Sequence, residues 1–175
     1  MPLFVRKIAL SKWKQNQALD GGHPSADAIT GCLRTQDNTL SPWRIAGPEE
    51  LEDAVLAIAS QLQRLDAIDV VTIAPAALQQ RGLKVAATPA STPYRSFGDR
   101  HHDIIELHYE SLGRVAKVVV SAINAAMSAE QPIGQSRQAL KAIIMRGLEQ
   151  GKIRADHLQE SLRVDLGLPV TTPSP

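Results

Sequence analysis

The densest run of ionisable side chains is DRHHDIIELHYE, residues 99–110, which carries His101, His102, Asp103, Glu106, His108 and Glu110. Neutral imidazole and carboxylate are ordinary ligands of a divalent cation, and a helix beginning before His102 would stack His102, Glu106 and Glu110 one turn apart. The chemistry this spacing allows is that of a metal-dependent hydrolase with His102, Glu106 and Asp103 as ligands. Against it, the run lacks the paired histidines of a catalytic zinc helix. Acids at a helix start are also explained by attraction to the positive end of the helix dipole. The expected state is a solvated helix start with no metal, and with His108 half-buried beside Ile104, Ile105 and Leu112.

Nucleophilic chemistry has little to build on. Cys32 is the single cysteine, so neither an internal disulfide nor a cysteine-rich zinc site is available. A reactive thiol needs an electropositive, accessible setting, whereas Cys32 falls with Ile29 and Leu33 on one apolar helical face and reads as structural. The sequence contains no G-x-S-x-G elbow, no G-x-x-x-x-G-K-[ST] loop and no G-x-G-x-x-G loop, and Gly21-Gly22 signals only a turn. Catalysis through a serine or cysteine and nucleotide hydrolysis are both disfavoured, and no cofactor is expected.

Binding has more support. Arg6, Lys7, Lys12 and Lys14 surround Trp13, a combination that contacts phosphate and stacks on a base in a nucleic-acid-binding accessory protein. Yet nineteen Lys and Arg stand against eighteen Asp and Glu, and a formal charge of +1 gives no general attraction to nucleic acid or to an anionic membrane. Residues 138–164 have the helix, glycine turn, helix layout of a DNA-reading module. Asp156, Glu160 and Asp165 beside Arg154 and Arg163 make its second helix mixed in charge rather than basic. Trp13 and Trp43 are of the type that anchors protein interfaces when exposed and fills cores when not. With Arg6 and Arg44 they form the candidate protein-binding set.

The elements that must position these residues follow from composition and periodicity. At 175 residues, 43% hydrophobic and 21% charged, the chain fits one globular domain over residues 1–168, and PVTTPSP at 169–175 offers nothing to bury and is expected to be a flexible tail. Arg6 and Lys7 break the first apolar run, so no signal peptide is expected, and Lys117, Ser121 and Asn124 interrupt 115–127, so no membrane span is expected. A reducing cytoplasm is the expected compartment.

Leu3–Ile8 is β-branched and aromatic enough for a strand, and Pro42 leads into a short extended piece at Trp43 and Ile45. Ser25 can cap a short helix over ADAITGCLR. Pro48, followed by Glu49, Glu50, Glu52 and Asp53, opens a helix whose stripe is Leu51, Ala54, Val55, Ile58, Leu62 and Leu65. Val70, Val71 and Ile73 make AIDVVTIAP a buried strand, and 83–87 adds a short one.

Residues 88–100 hold two prolines and a glycine and are expected to form an exposed loop with the character of a hinge. Beyond it, Ile105, Tyr109, Leu112, Ala116, Val119, Ile123 and Met127 mark a long central helix. Ser136 caps another that ends at Gly151, and Asp156 starts a last one.

The expected fold is therefore α+β: a small mixed sheet with covering helices in the N-terminal half and a helical C-terminal half packed on it. The function this predicts is a non-catalytic protein-interaction module, such as an inhibitor, an immunity-like factor or a small subunit of a larger assembly, whose partner is another protein. The metal-dependent hydrolase and the nucleic-acid-binding accessory protein are its alternatives.

Overall fold

The computed structural model of the chain describes residues 1–14, 24 and 26–169. The Gly21-Gly22 turn, the Ser25 cap and most of the 169–175 tail lie outside the described residues. Strand β1 (Leu3–Ile8) is followed by helices α1 (Leu10–Lys14) and α2 (Ala26–Cys32), and β2 (Trp43–Ile45) leads through a 3-10 turn at Pro48–Glu50 into α3 (Leu51–Ala59). Next come β3 (Ile68–Ile73), α4 (Pro75–Gln79) and β4 (Lys84–Ala87), then a 3-10 segment at Arg95–Arg100 and β5 (His102–Ile105). The last elements are α5 (Tyr109–Ser128), β6 (Gly134–Gln135), α6 (Arg137–Glu149) and α7 (Glu160–Leu166).

Four strands form one sheet in the order β2-β1-β3-β6, antiparallel at each pairing. The β4-β5 ribbon stands apart and joins the sheet's end through the bridges Leu40 to Ile104 and Trp43 to His101. The class is α+β, as composition and periodicity predict. The second half is not purely helical, because β5 and β6 are drawn into pairing with the first half.

Side chains alternate across a strand, so the two inner strands, β1 and β3, serve two cores. Val5, Ile45, Ile68 and Val70 point into one, closed by α3, α6 and α7 through residues such as Val55, Ile144 and Leu162. Phe4, Ile8, Val71 and Ile73 point into the other, closed by α1, α2 and α5 through Trp13, Ala28, Val115 and Val119. Burial on both faces explains why β3 reads as a continuous apolar run rather than as an alternating one.

Helix α3 is shorter than its apolar stripe predicts. It ends at Ala59, and Leu62 and Leu65 lie beyond it. Leu65 stays buried, and its N–H is taken up by Asp165 Oδ2 at 2.9 Å. Ala54 through Ala59 are all buried, so α3 is enclosed rather than amphipathic. Its contact with α6 is close at Gly147, where an added Cβ would stand 2.8 Å from Leu56 Cδ2.

Two further expectations are corrected. Residues 102–105 are strand rather than helix, because they pair with β4 and Glu106 takes a positive φ of 55° that stops a helix from running through it. The helix begins at Tyr109, where the His108 N–H donates to Ser111 Oγ at 2.6 Å and the Ser111 hydroxyl donates back to the His108 carbonyl at 2.8 Å. The 88–100 segment is not an exposed loop. Tyr94 and Phe97 are buried, stacked with centroids 5.3 Å apart, and Phe97 meets Trp43 at 5.8 Å. Large aromatic area is available there, and burying it outweighs the loop-like composition around it.

Ser136 caps α6 as predicted, its side chain accepting from the Ala139 N–H, and α6 fixes Leu140 at 0% exposure. Leu140→Ala is expected to lower the unfolding free energy in urea by about 2–5 kcal/mol, and Gly147→Val by about 1–3 kcal/mol through overpacking against Leu56. Met127→Ala, at a position 50% exposed, is expected to stay within about 0.5 kcal/mol of the parent.

Candidate functional site

The proposed protein-binding set does not assemble into a surface. Trp13 is 0% exposed, Trp43 5% and Arg6 9%, while Arg44 alone of the four faces solvent. Trp13 closes the end of one core, and Trp43 lies edge-on to His101 with centroids 5.0 Å apart. The burial has a simple cause: Trp13 packs into the core that α5 closes and Trp43 into the core that α3 closes, so the area of both indoles is taken up internally. Arg6 and Trp13 are likewise lost to a basic nucleic-acid surface, which leaves Lys7, Lys12 and Lys14 exposed at this end.

The His, Asp and Glu run is spread out by its strand conformation. Neighbours on a strand point to opposite faces, so His102 and Asp103 diverge, and the one-turn stacking of His102 on Glu106 that a helix would have given is lost. Each group is then engaged locally. His101 Nδ1 donates to the Thr88 carbonyl at 2.7 Å, and His102 Nδ1 donates to the Arg100 carbonyl at 3.0 Å with its ring 5.4 Å from Phe4. Asp103 accepts from the Ser41 hydroxyl at 2.8 Å, Glu106 pairs with Lys84 at 2.6 Å, and His108 stands at the head of α5. Among the described residues, no three His, Cys, Asp or Glu side chains lie close enough to hold a metal ion. Cys32 Sγ accepts the Ala9 N–H at 3.3 Å and is half-buried.

One ionisable cluster arises that the sequence does not announce. Asp53 at the start of α3 accepts from Lys152 Nζ at 2.6 Å and from the Tyr94 hydroxyl at 3.2 Å, and Nζ lies 5.9 Å from the Tyr94 ring centroid. These partners are 99 and 41 positions from Asp53, so no local spacing could have revealed them. Burial, then the Asp53 charge, raises the Tyr94 pKa above its ordinary value. The hydrogen bond to Asp53 raises that of Lys152. Both groups hold their protons more tightly than usual, the reverse of what a general base or nucleophile near neutral pH requires. The trio is a clamp that fastens the aromatic segment to α3 and to the turn after α6.

The feature best shaped to receive a partner is the outer edge of β3. Val70 donates its N–H to the Ile133 carbonyl, so Val70 and, two residues on, Thr72 turn their peptide groups away from β1. Named pairing with β6 covers only Ile68 and Asp69. Beside this edge runs a 400 Å³ groove with Val70, Val71 and Thr72 as its floor, Pro48 and Leu51 on one wall, and Ala126, Pro132 and Ile133 on the other. None of the residues lining it is charged. A larger hollow of 510 Å³ between α2 and α5, beside the 93% exposed Tyr109, adjoins Pro24 and so borders residues outside the described set.

The clamp has a pH signature. Because Tyr94 and Lys152 both bind protons more strongly in the folded chain, the stability they contribute is complete below the ordinary tyrosine and lysine values of about 10 and is lost as pH rises through the raised ones. Thermal melts should therefore fall on the alkaline side of about pH 10, and Asp53→Asn should flatten that fall while lowering the melting temperature at neutral pH. Compared with known proteins, the chain matches no family model, no curated protein and no solved structure.

Proposed function

We propose that this chain is a non-catalytic protein-interaction module, and that its partner presents an extended, uncharged segment which adds to the outer edge of β3. The observation carrying this reading is the coincidence of unclaimed strand edge and apolar groove. Thr72 turns its peptide N–H and carbonyl outward at the point where β6 has stopped, and the groove beside it is bounded by Leu51, Ala126 and Ile133. An added strand gains direction and register from main-chain bonds, and specificity from alternate side chains entering such a groove. A charged segment would leave its charge unpaired against uncharged walls, so the fitting sequence is neutral. The reading also agrees with the dispersal of the ionisable groups, whose members are held in structural bonds of their own.

Random peptides displayed on phage, selected against the purified chain, test this directly. Uncharged, β-branched sequences are expected to be enriched. Thr72→Pro deletes the outward N–H but leaves the ladder to β1 intact, because that N–H does not donate to β1. Ala126→Arg puts a charge on the groove wall. Each should weaken the selected peptides about tenfold or more by fluorescence anisotropy, with circular dichroism unchanged. Selection of no peptide above background, or equal binding by parent and both variants, would defeat the proposal.

A further inference from the structure

A second site, independent of the β3 edge, lies at the opposite side of the sheet. Strand β1 runs on to Ile8, but its pairing with β2 ends at Val5 and Trp43, so among the described residues no strand pairs with Arg6 and Lys7 on this side. Lys7 is opposite Val70, which bonds away from β1, so the Lys7 peptide also turns outward on this side. The gap beside it is a hollow of 350 Å³ lined by Arg6, Lys7, Cys32, Ser41, Trp43 and Gln61, among others.

The guanidinium at its wall is short of partners. Arg6 is 9% exposed; its Nη1 donates to the Ser41 carbonyl at 2.8 Å, and its buried Nε has no hydrogen-bond partner among the described residues. No carboxylate among the described residues pairs with it within 4.0 Å; Asp103 is close enough to influence it but accepts from the Ser41 hydroxyl instead. Arginine cannot discharge the cost of burial by losing its proton, because its pKa is too high. Burial does pull the Arg6 pKa below its ordinary value, opposed by Cys32 and Asp103. A buried cation with no carboxylate partner among the described residues, beside an open hollow, is a site for a counter-ion.

We infer that this hollow binds a small oxyanion, a phosphate or carboxylate group, at the Arg6 guanidinium and the outward-turned Lys7 peptide N–H. The guanidinium fork and an outward peptide N–H match the planar or tetrahedral oxygens of such a group, which chloride cannot reproduce. Gln61 lies on the exposed rim and offers a position at which an internal counter-charge can be installed.

The experiment is an NMR titration of the 15N-labelled chain with sodium phosphate, sodium acetate and sodium chloride at matched ionic strength, following the Arg6 Nε–H, the Lys7 amide and the Trp43 indole. Saturable shifts confined to these signals are expected with phosphate, acetate or both, and not with chloride; which oxyanion saturates at lower concentration identifies the group. Lys7→Pro, which deletes the outward Lys7 N–H and leaves the ladder to β3 intact because that N–H does not donate to it, should weaken binding severalfold. Gln61→Glu, which places a negative charge on the rim of the hollow, should abolish saturation. Shifts equal in chloride, no saturable shift with any salt, or unchanged oxyanion binding in Gln61→Glu would overturn the inference.

Discussion

The structure depends on β3 being covered on both sides. Val70 faces the core closed by α3, α6 and α7, while Val71 and Ile73 face the core closed by α1, α2 and α5. A strand in that position can carry almost nothing polar in its middle, and its hydrogen bonds must be found in the plane of the sheet, since neither face offers water. That constraint places β1 on one side of it and leaves the other side to the two residues of β6. The unclaimed edge at Thr72 is the direct result: the sheet is finished in depth before it is finished in width.

The same enclosure decides the fate of the chain's aromatic groups and of much of its polar chemistry. Aromatic side chains near the sheet are consumed as packing, which removes Trp13 and Trp43 from the surface and pulls Tyr94 and Phe97 out of a segment whose composition is that of a loop. Histidines and acids in the 101–108 stretch are spent on backbone carbonyls, a neighbouring hydroxyl and a surface ion pair. Among the described residues, what stays uncommitted includes a peptide edge on one side of the sheet and, beside the gap on the other, a guanidinium nitrogen.

Much of the fold was legible in the sequence because much of it is local. Val70, Val71 and Ile73 declare β3, Pro48 with its following acids declares the start of α3, and Ser136 declares the head of α6. What misled was competition between local and distant bonding. Residues 102–105 have apolar spacing compatible with the helix that follows them, and only pairing with β4 makes them a strand. The candidate sites were less legible still. The edge at Thr72 depends on where β6 stops, the gap beside Arg6 depends on where β2 stops, and the Asp53 clamp joins residues from three distant segments. A strand's end is fixed by the chain path after it, which residue type at the strand does not encode.

The pairing of β3 with β6 joins the middle of the chain to its last third. On a ribosome, β1, β2 and β3 emerge early and can assemble together, but β3 must wait for all of α5 to be made before its second neighbour exists. For that interval a strongly apolar strand has a long bare margin, the kind of template on which nascent chains stick to one another. In this polypeptide the order of synthesis, as much as the finished architecture, sets how safely it reaches its native state.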